Sequence, residues 1–210
     1  MQDFLKTTSL MLTNQILPVV AIQESLQMAF LETPRHEFVL PHFKDAAYMD
    51  GVMPCSKNRN LMPPALLARC LSYLHIDSCT NVLHLGCASG YTSALLAKIS
   101  RMVTAVDKDG ELLTRATQLC QKLNLANVRF YQGNSNEGFG ENQPYRAIFV
   151  ETPSSSISEE ILNQLAPQGR CVALISTNKP FIEIMVYQRT NSGIAAQSVF
   201  KFEQALLIRH

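Results

Sequence analysis

The sequence VLHLGCASGY, residues 82–91, carries the clearest local indication of the fold. A short apolar run stops at Gly86, small residues follow, and apolar side chains recur at helical spacing after Tyr91. A strand, a tight turn and a helix in this order place backbone N–H groups at the carboxyl edge of a sheet, where open α/β folds bind ligands. Gly86 and Gly90 favour a tight turn and the close approach of a ligand.

Short apolar runs alternate with amphipathic segments from residue 80 onward. The pattern predicts strands at 81–85, 102–106, 128–131, 147–150 and 171–175, with helices at 91–99, 111–123 and 159–165. Two further apolar runs, 182–189 and 204–208, flank the turn sequence TNSG and predict an antiparallel C-terminal hairpin. This alternation predicts right-handed crossovers and a doubly wound, mostly parallel sheet with helices on both faces.

The first 79 residues have a different texture. Helical spacing occurs at 9–17, 22–31 and 65–74, and prolines punctuate residues 50–64, for which we expect irregular structure. We therefore divide the chain into an N-terminal helical cap with a loop (1–79) and an α/β core (80–210), forming one compact unit.

Composition excludes several classes of protein. The 210 residues are 47% hydrophobic and carry 18 basic and 17 acidic side chains, which excludes disorder and a polybasic nucleic-acid binder. Apolar runs fall short of the roughly 18 residues that cross a bilayer, and the N-terminus does not resemble a secretory signal. The six cysteines lack zinc-site spacing, which indicates free thiols in a reducing cytoplasm. We expect a cytoplasmic protein without a metal, nucleic-acid or membrane partner.

Polar residues follow the next two predicted strands. Asp107 ends the second strand, where an acid can accept hydrogen bonds from both hydroxyls of a ribose, and Asn134 follows the third, where an amide can meet an adenine edge. The spacing G-x-x-x-G differs from the dinucleotide fingerprint and better fits S-adenosylmethionine. The alternative is a plain helix cap with a surface aspartate. Cys87 fits a small loop residue better than a nucleophile.

Four stretches together resemble the protein-L-isoaspartate O-methyltransferase family. They are NQ at 14–15 with TPRHEFV at 33–39, AYMDGVMP at 47–54, VLHLGCASGY at 82–91, and LNQLAPQGRCV at 162–172. The resemblance implies a class I, Rossmann-like methyltransferase fold with S-adenosylmethionine as cofactor. It also implies methylation of an isoaspartyl carboxylate in a protein or peptide, a protein-repair reaction.

The resemblance assigns site residues by position. The cofactor contacts fall on His84, Gly86, Cys87, Ala88, Ser89, Gly90, Asp107, Lys108, Asn134 and Ser135. The substrate loop falls on residues 56–64, where Asn60 takes the threonine position and Met62 takes the position of the serine beside the acceptor.

Several of these positions depart from the family pattern. The thioether of Met62 cannot donate a hydrogen bond to a carboxylate. His84 replaces an acid, and either contacts the ligand or is satisfied by a backbone carbonyl. Ala88 replaces a glycine, which we expect to be tolerated at negative φ. Asn134 and Arg146 stand at aspartate positions, and we expect Arg146 to be structural.

Two hypotheses remain open from the sequence. The first is a methyltransferase acting on a carboxylate, with Lys57 and Arg59 of the substrate loop holding an acidic acceptor; the alternative for both is a solvated surface charge. The second is a catalytically impaired methyltransferase-fold protein that acts as a binding or regulatory module. Nucleic-acid methylation is disfavoured, because ETPS at 151–154 does not resemble a base-flipping tetrapeptide.

Overall fold

The N-terminal third is mainly helical in the computed structural model, which describes residues 2–178 and 180–207. Helix α1 (Gln2–Met11) runs into a π-helical turn (Leu12–Ile16), and α2 (Glu24–Glu32) follows. Two short strands, β1 (Met53–Pro54) and β2 (Asn60–Leu61), pair antiparallel before α3 (Pro64–Ser72). The expectation of wholly irregular structure at 50–64 is therefore wrong: the prolines border a small hairpin.

The remainder alternates strands with helices as the sequence predicts. Its elements are β3 (Asn81–Leu85), α4 (Tyr91–Ile99), β4 (Met102–Asp107), α5 (Gly110–Lys122), β5 (Val128–Gln132), β6 (Tyr145–Ser154), α6 (Glu159–Asn163), β7 (Leu165–Asn178), β8 (Phe181–Thr190) and β9 (Gly193–Glu203). The strands form one sheet in the order β5-β4-β3-β6-β7-β8-β9, and β3 to β7 are parallel. The predicted doubly wound fold is confirmed.

The C-terminal hairpin is antiparallel, but its second strand lies elsewhere than predicted. β9 spans Gly193–Glu203, and Gln204–Leu207 form a 3₁₀ turn, while residue 208 lies outside the described residues. β9 is an edge strand with mostly exposed side chains. It therefore lacks the apolar run on which the prediction relied.

Apolar side chains cover both faces of the sheet. One large cluster joins the cap to α4, α5 and one face, with Ile16, Phe30, Leu95 and Ile184 among its members. A smaller cluster lies on the opposite face beneath α6. The cap thus holds the β1–β2 hairpin beside the carboxyl ends of the central strands. None of the described helices combines the length and apolar character needed to cross a membrane.

Candidate functional site

The turn after β3 is tightly wound. Gly86 (φ 79°), Ala88 (φ 46°) and Gly90 (φ 84°) all have left-handed backbone. The negative φ at which we expected alanine to be tolerated is therefore not the conformation of Ala88. Gly90 ends the turn as the N-cap of α4 and supplies no side chain to the first turn of that helix. Backbone N–H groups at such a helix start are available to a polar ligand.

The two glycines are required by packing within the chain. A side chain at Gly86 would collide with Thr152 of β6. A Cβ at Gly90 would lie 2.7 Å from the Cβ of Ala116 on α5 and 3.3 Å from the ring of Phe130. Their missing side chains therefore face other strands and helices, and close approach of a ligand is not the main reason for glycine at either position.

Asp107 is fully buried at the end of β4. Its Oδ2 accepts a hydrogen bond from the N–H of Ala88 (2.8 Å), and its Oδ1 accepts one from the N–H of Asp109 (3.1 Å). The acid predicted for a ribose is thus joined directly to the turn after β3.

Arg59, from the loop between β1 and β2, covers this acid. Its Nη1 lies 3.1 Å from Oδ1 and 3.0 Å from Oδ2 of Asp107, and its Nη2 donates to the carbonyl of Gly86 at 2.9 Å. Arg59 is therefore not a solvated surface charge, and its contact with an acidic acceptor stays a prediction. Lys57 of the same loop is exposed.

A second polar network lies beside the turn. His84 is fully buried, with Nδ1 2.8 Å from Ser93 Oγ and Nε2 2.8 Å from Glu151 Oε2. Its ring stacks on Phe149 at 5.6 Å between centroids. The two partners are side chains, so the expectation of a backbone carbonyl is wrong.

Glu151 is the functional candidate that the sequence analysis missed. Its Oε1 accepts a hydrogen bond from Thr92 Oγ1 at 3.1 Å, and its side chain is 13% exposed. A signal was present, because Glu151 directly follows the apolar run 147–150, as Asp107 follows the run of the second strand. The same reasoning applied to both strand ends would have found it.

A cavity of about 220 Å³ lies between the hairpin and the strand ends. Its lining is Val52, Asn58, Arg59, Asn60, Leu61, Met62, Gly86, Ala88, Glu151, Thr152, Pro153 and Leu207. It brings both predicted substrate-loop positions, Asn60 and Met62, to two predicted cofactor positions, Gly86 and Ala88.

Met62 is fixed through its backbone. Its side chain is buried, and its carbonyl accepts a 2.7 Å hydrogen bond from Nη2 of Arg35, whose Nε donates to the carbonyl of Ala47 at 2.7 Å. Burial lowers the pKa of the Arg35 guanidinium, which lies over the ring of Tyr91 at 4.9 Å. Arg35 therefore ties the end of the hairpin to the cap.

The other predicted positions lie outside the cavity lining. Cys87 and Ser89 are buried. Burial raises the pKa of the Cys87 thiol well above its ordinary value, which favours a small loop residue over a nucleophile. Lys108 is exposed and Ser135 is half-buried. Asn134 is exposed; its Nδ2 donates to Glu137 at 2.7 Å and its Oδ1 accepts from the N–H of Asn136 at 3.1 Å. Its contact with adenine stays a prediction.

Arg146 lies away from these groups and is exposed. A hydrogen bond from Thr80 is the main cause of the lowered pKa of Asp77, and the charge of Arg146 contributes less. The structural role expected for Arg146 stays a prediction.

The donor set fits an adenosyl cofactor in its chemistry. Asp107 matches a ribose diol, and Glu151 adds a carboxylate at the cavity. The cavity is smaller than the 300–1,000 Å³ of typical ligand sites. The guanidinium of Arg59 is already paired with the Asp107 carboxylate that the ribose would use. Entry of such a cofactor therefore requires the Arg59 side chain to leave Asp107.

Comparisons with known proteins point to one family. The model of the protein-L-isoaspartate(D-aspartate) O-methyltransferase family matches residues 6–202. A Gloeobacter violaceus protein-L-isoaspartate O-methyltransferase is 29% identical over 90% of this chain and 93% of its own length. The enzyme of that name from Pseudomonas fluorescens is 34% identical over 78% of this chain and 77% of its own.

Solved structures agree on the fold. A protein-L-isoaspartate O-methyltransferase superposes with a TM-score of 0.80 at 21% identity, covering 95% of this chain and 64% of the other. A Plasmodium falciparum protein of that name, in complex with S-adenosyl-L-homocysteine, gives a TM-score of 0.74 at 18% identity, with 93% and 95% covered. From the family match over nearly its whole length, this chain belongs to the protein-L-isoaspartate(D-aspartate) O-methyltransferase family.

Proposed function

We propose that this protein transfers a methyl group from S-adenosylmethionine to a carboxylate of a protein or peptide, with the isoaspartyl group as acceptor. The observation that carries the proposal is the hydrogen bond from the Ala88 N–H to the buried Asp107 carboxylate, because it holds the acid and the turn together as parts of one binding site. The names of the relatives favour this function over that of an impaired binding module.

The proposed cofactor site follows the strand ends. Residues 86–90 present the turn and the start of α4, Asp107 takes the ribose, and Asn134 with Ser135 flanks the adenine. Lys108 borders the same edge. The parallel register of β3, β4 and β5 supports this assignment, since it aligns all three strand ends at one edge of the sheet.

The cofactor supplies an electrophilic methyl group on a sulfonium. A carboxylate acceptor is already ionised near neutral pH, so the chain needs no strong base and contributes mainly by positioning and by excluding water. Met62 and Asn60 lie on the cavity wall, where Met62 offers an apolar surface to the acceptor. With a thioether at this position, recognition of the acceptor rests on shape and on the surrounding backbone.

The test is transfer of a radiolabelled methyl group to an isoaspartyl peptide. We expect base-labile label on that peptide and none on its aspartyl counterpart, with Asp107→Ala abolishing the signal. Asp45→Ala, which removes an exposed acid, is the matched control and should retain it. No heat of S-adenosylhomocysteine binding up to millimolar concentration, together with no transfer, would contradict the proposal.

We also propose a cytoplasmic location. All six cysteines are free thiols, and five of them are buried. Reduced cysteines are typical of proteins in the glutathione-buffered cytosol. The test is to quench cells with acid, alkylate the thiols under denaturing, non-reducing conditions and analyse the protein by mass spectrometry. We expect all six cysteines to be alkylated, and a disulfide would contradict the proposal.

A further inference from the structure

The geometry points to Glu151 as the residue that binds the α-ammonium group of the cofactor's amino-acid portion. This inference rests on the proposed function and adds to it a residue outside the positions that the resemblance assigns. The family pattern places an acid on β3, at the position that His84 takes in this chain. In this protein the carboxylate would come from the neighbouring strand β6 instead.

The position of Glu151 in the sheet places its carboxylate at the cavity, beside the turn after β3. β3 and β6 are parallel neighbours, with His84 paired to Phe149 and Leu85 to Val150. Glu151 lies within β6, one residue beyond the pairing of Leu85 with Val150 and beside the turn that begins at Gly86. Among the described residues that line the cavity, it is the acidic one.

Its carboxylate retains acceptor capacity. An ionised carboxylate offers about four lone-pair sites. Two of them face partners within the chain, at Thr92 Oγ1 (3.1 Å) and His84 Nε2 (2.8 Å). The side chain is 13% exposed toward the cavity, so a further N–H donor has access to it.

His84 and Thr92 act as supports for this acid. The imidazole is held between Ser93 and Glu151 and stacks on Phe149, which fixes the carboxylate plane against β3. The other buried acid of the site, Asp107, already accepts two backbone N–H groups and Arg59. Glu151 is thus the carboxylate left for a cationic group of the ligand.

The experiment compares two ligands by calorimetry. S-adenosylhomocysteine carries the amino-acid group, whereas 5′-methylthioadenosine has the same nucleoside and thioether without it. In the wild type we expect the first to bind more tightly. Glu151→Gln, which is nearly isosteric, should weaken S-adenosylhomocysteine by about tenfold and change methylthioadenosine by less than about twofold.

Two further variants separate charge from structure. Glu151→Asp keeps the carboxylate and should retain more of the preference for S-adenosylhomocysteine than Glu151→Gln does. Glu141→Gln removes an exposed acid and should leave both affinities unchanged. Unchanged methylthioadenosine binding also shows that the variant site is folded.

The outcomes distinguish this inference from the function on which it rests. Equal weakening of both ligands by Glu151→Gln, or no weakening of either, overturns the role of Glu151 while leaving the cofactor site in place. Binding of neither ligand to the wild type overturns the proposed function, and the inference with it.

Discussion

Arg59 connects the substrate loop to the cofactor edge of the sheet. Its guanidinium bonds both carboxylate oxygens of Asp107 and the carbonyl of Gly86, while its side chain remains 23% exposed. A ribose diol would use the same carboxylate oxygens. If Asp107 binds the ribose as we propose, the arginine and the cofactor compete for this carboxylate, and the position of the loop is coupled to cofactor binding.

Replacement of Arg59 by glutamine should tighten cofactor binding. Without the guanidinium, the ligand no longer has to break a partly exposed ion pair worth about 0.5–2 kcal/mol. We expect the dissociation constant of S-adenosylhomocysteine to fall by roughly twofold to thirtyfold in calorimetry. Lys57→Gln, which removes an exposed charge from the same loop, should leave it unchanged. Weaker binding by Arg59→Gln would mean that Arg59 holds the ligand instead.

At the scale of single residues, the sequence predicted the position of a side chain where a strand end fixes it, while the ligand contact proposed for that side chain stays a prediction. Asp107 needed only its place at the end of a buried apolar run. Arg59 and Asp107 lie 48 residues apart in sequence, and Glu151 and His84 lie 67 apart, so neither contact has a local signature. The left-handed turn at Ala88 is similar: the alanine tolerates the conformation because the hydrogen bond to Asp107 holds it there.

Helices α4 and α5 meet at Gly90. The glycine has φ 84°, and the Cβ of Ala116 fills the space where its own Cβ would lie. A side chain at position 90 would therefore meet both an unfavourable backbone conformation and the close packing of two elements.

Gly90→Ala should therefore destabilise the protein more than a matched substitution at Gly193. Gly193 also has positive φ (126°), but open space surrounds it, so Gly193→Ala reports the backbone cost alone. We expect a loss of about 1 kcal/mol at Gly193 and about 2–5 kcal/mol at Gly90, measured by urea denaturation. Equal losses would show that α5 moves aside at little cost.

Element-scale prediction was most successful for the parallel strands. β3 is buried along nearly its whole length, and its sequence is apolar apart from Asn81 and His84, with limits that match the predicted strand. The exposed edge strand β9 and the hairpin of β1 and β2 lack such runs, because backbone pairing forms them more than side-chain burial does. The spacing of apolar residues likewise does not distinguish the π-helical turn at Leu12–Ile16 from a continuous α-helix.

At the scale of the whole molecule, a charged cluster joins the cap to α5. Glu37 forms ion pairs with Lys44 and Lys122, each with an N–O distance of 3.6 Å, and its Oε1 lies 3.5 Å from Nε2 of His36. His36 Nδ1 lies 2.7 Å from the hydroxyl of Tyr48, and Phe4 of α1 contacts its ring edge. His36 and Glu37 together thus contact α1, the segment at residues 44–48 and α5.

Stability should fall as the pH is lowered from about 7.5 to 5.5. Burial lowers the pKa of His36, opposed in part by Glu37 and reinforced by the charges of Lys44 and Lys122. Because the unfolded histidine takes up its proton near pH 6.5 and the folded one only at lower pH, the unfolded state binds more protons in this window. Urea midpoints across the window should therefore decline in the wild type and decline less in His36→Gln. The lowered pKa of His75 leaves a residual slope. His42→Gln, at an exposed position, should keep the wild-type slope, and an unchanged slope in His36→Gln would contradict this account.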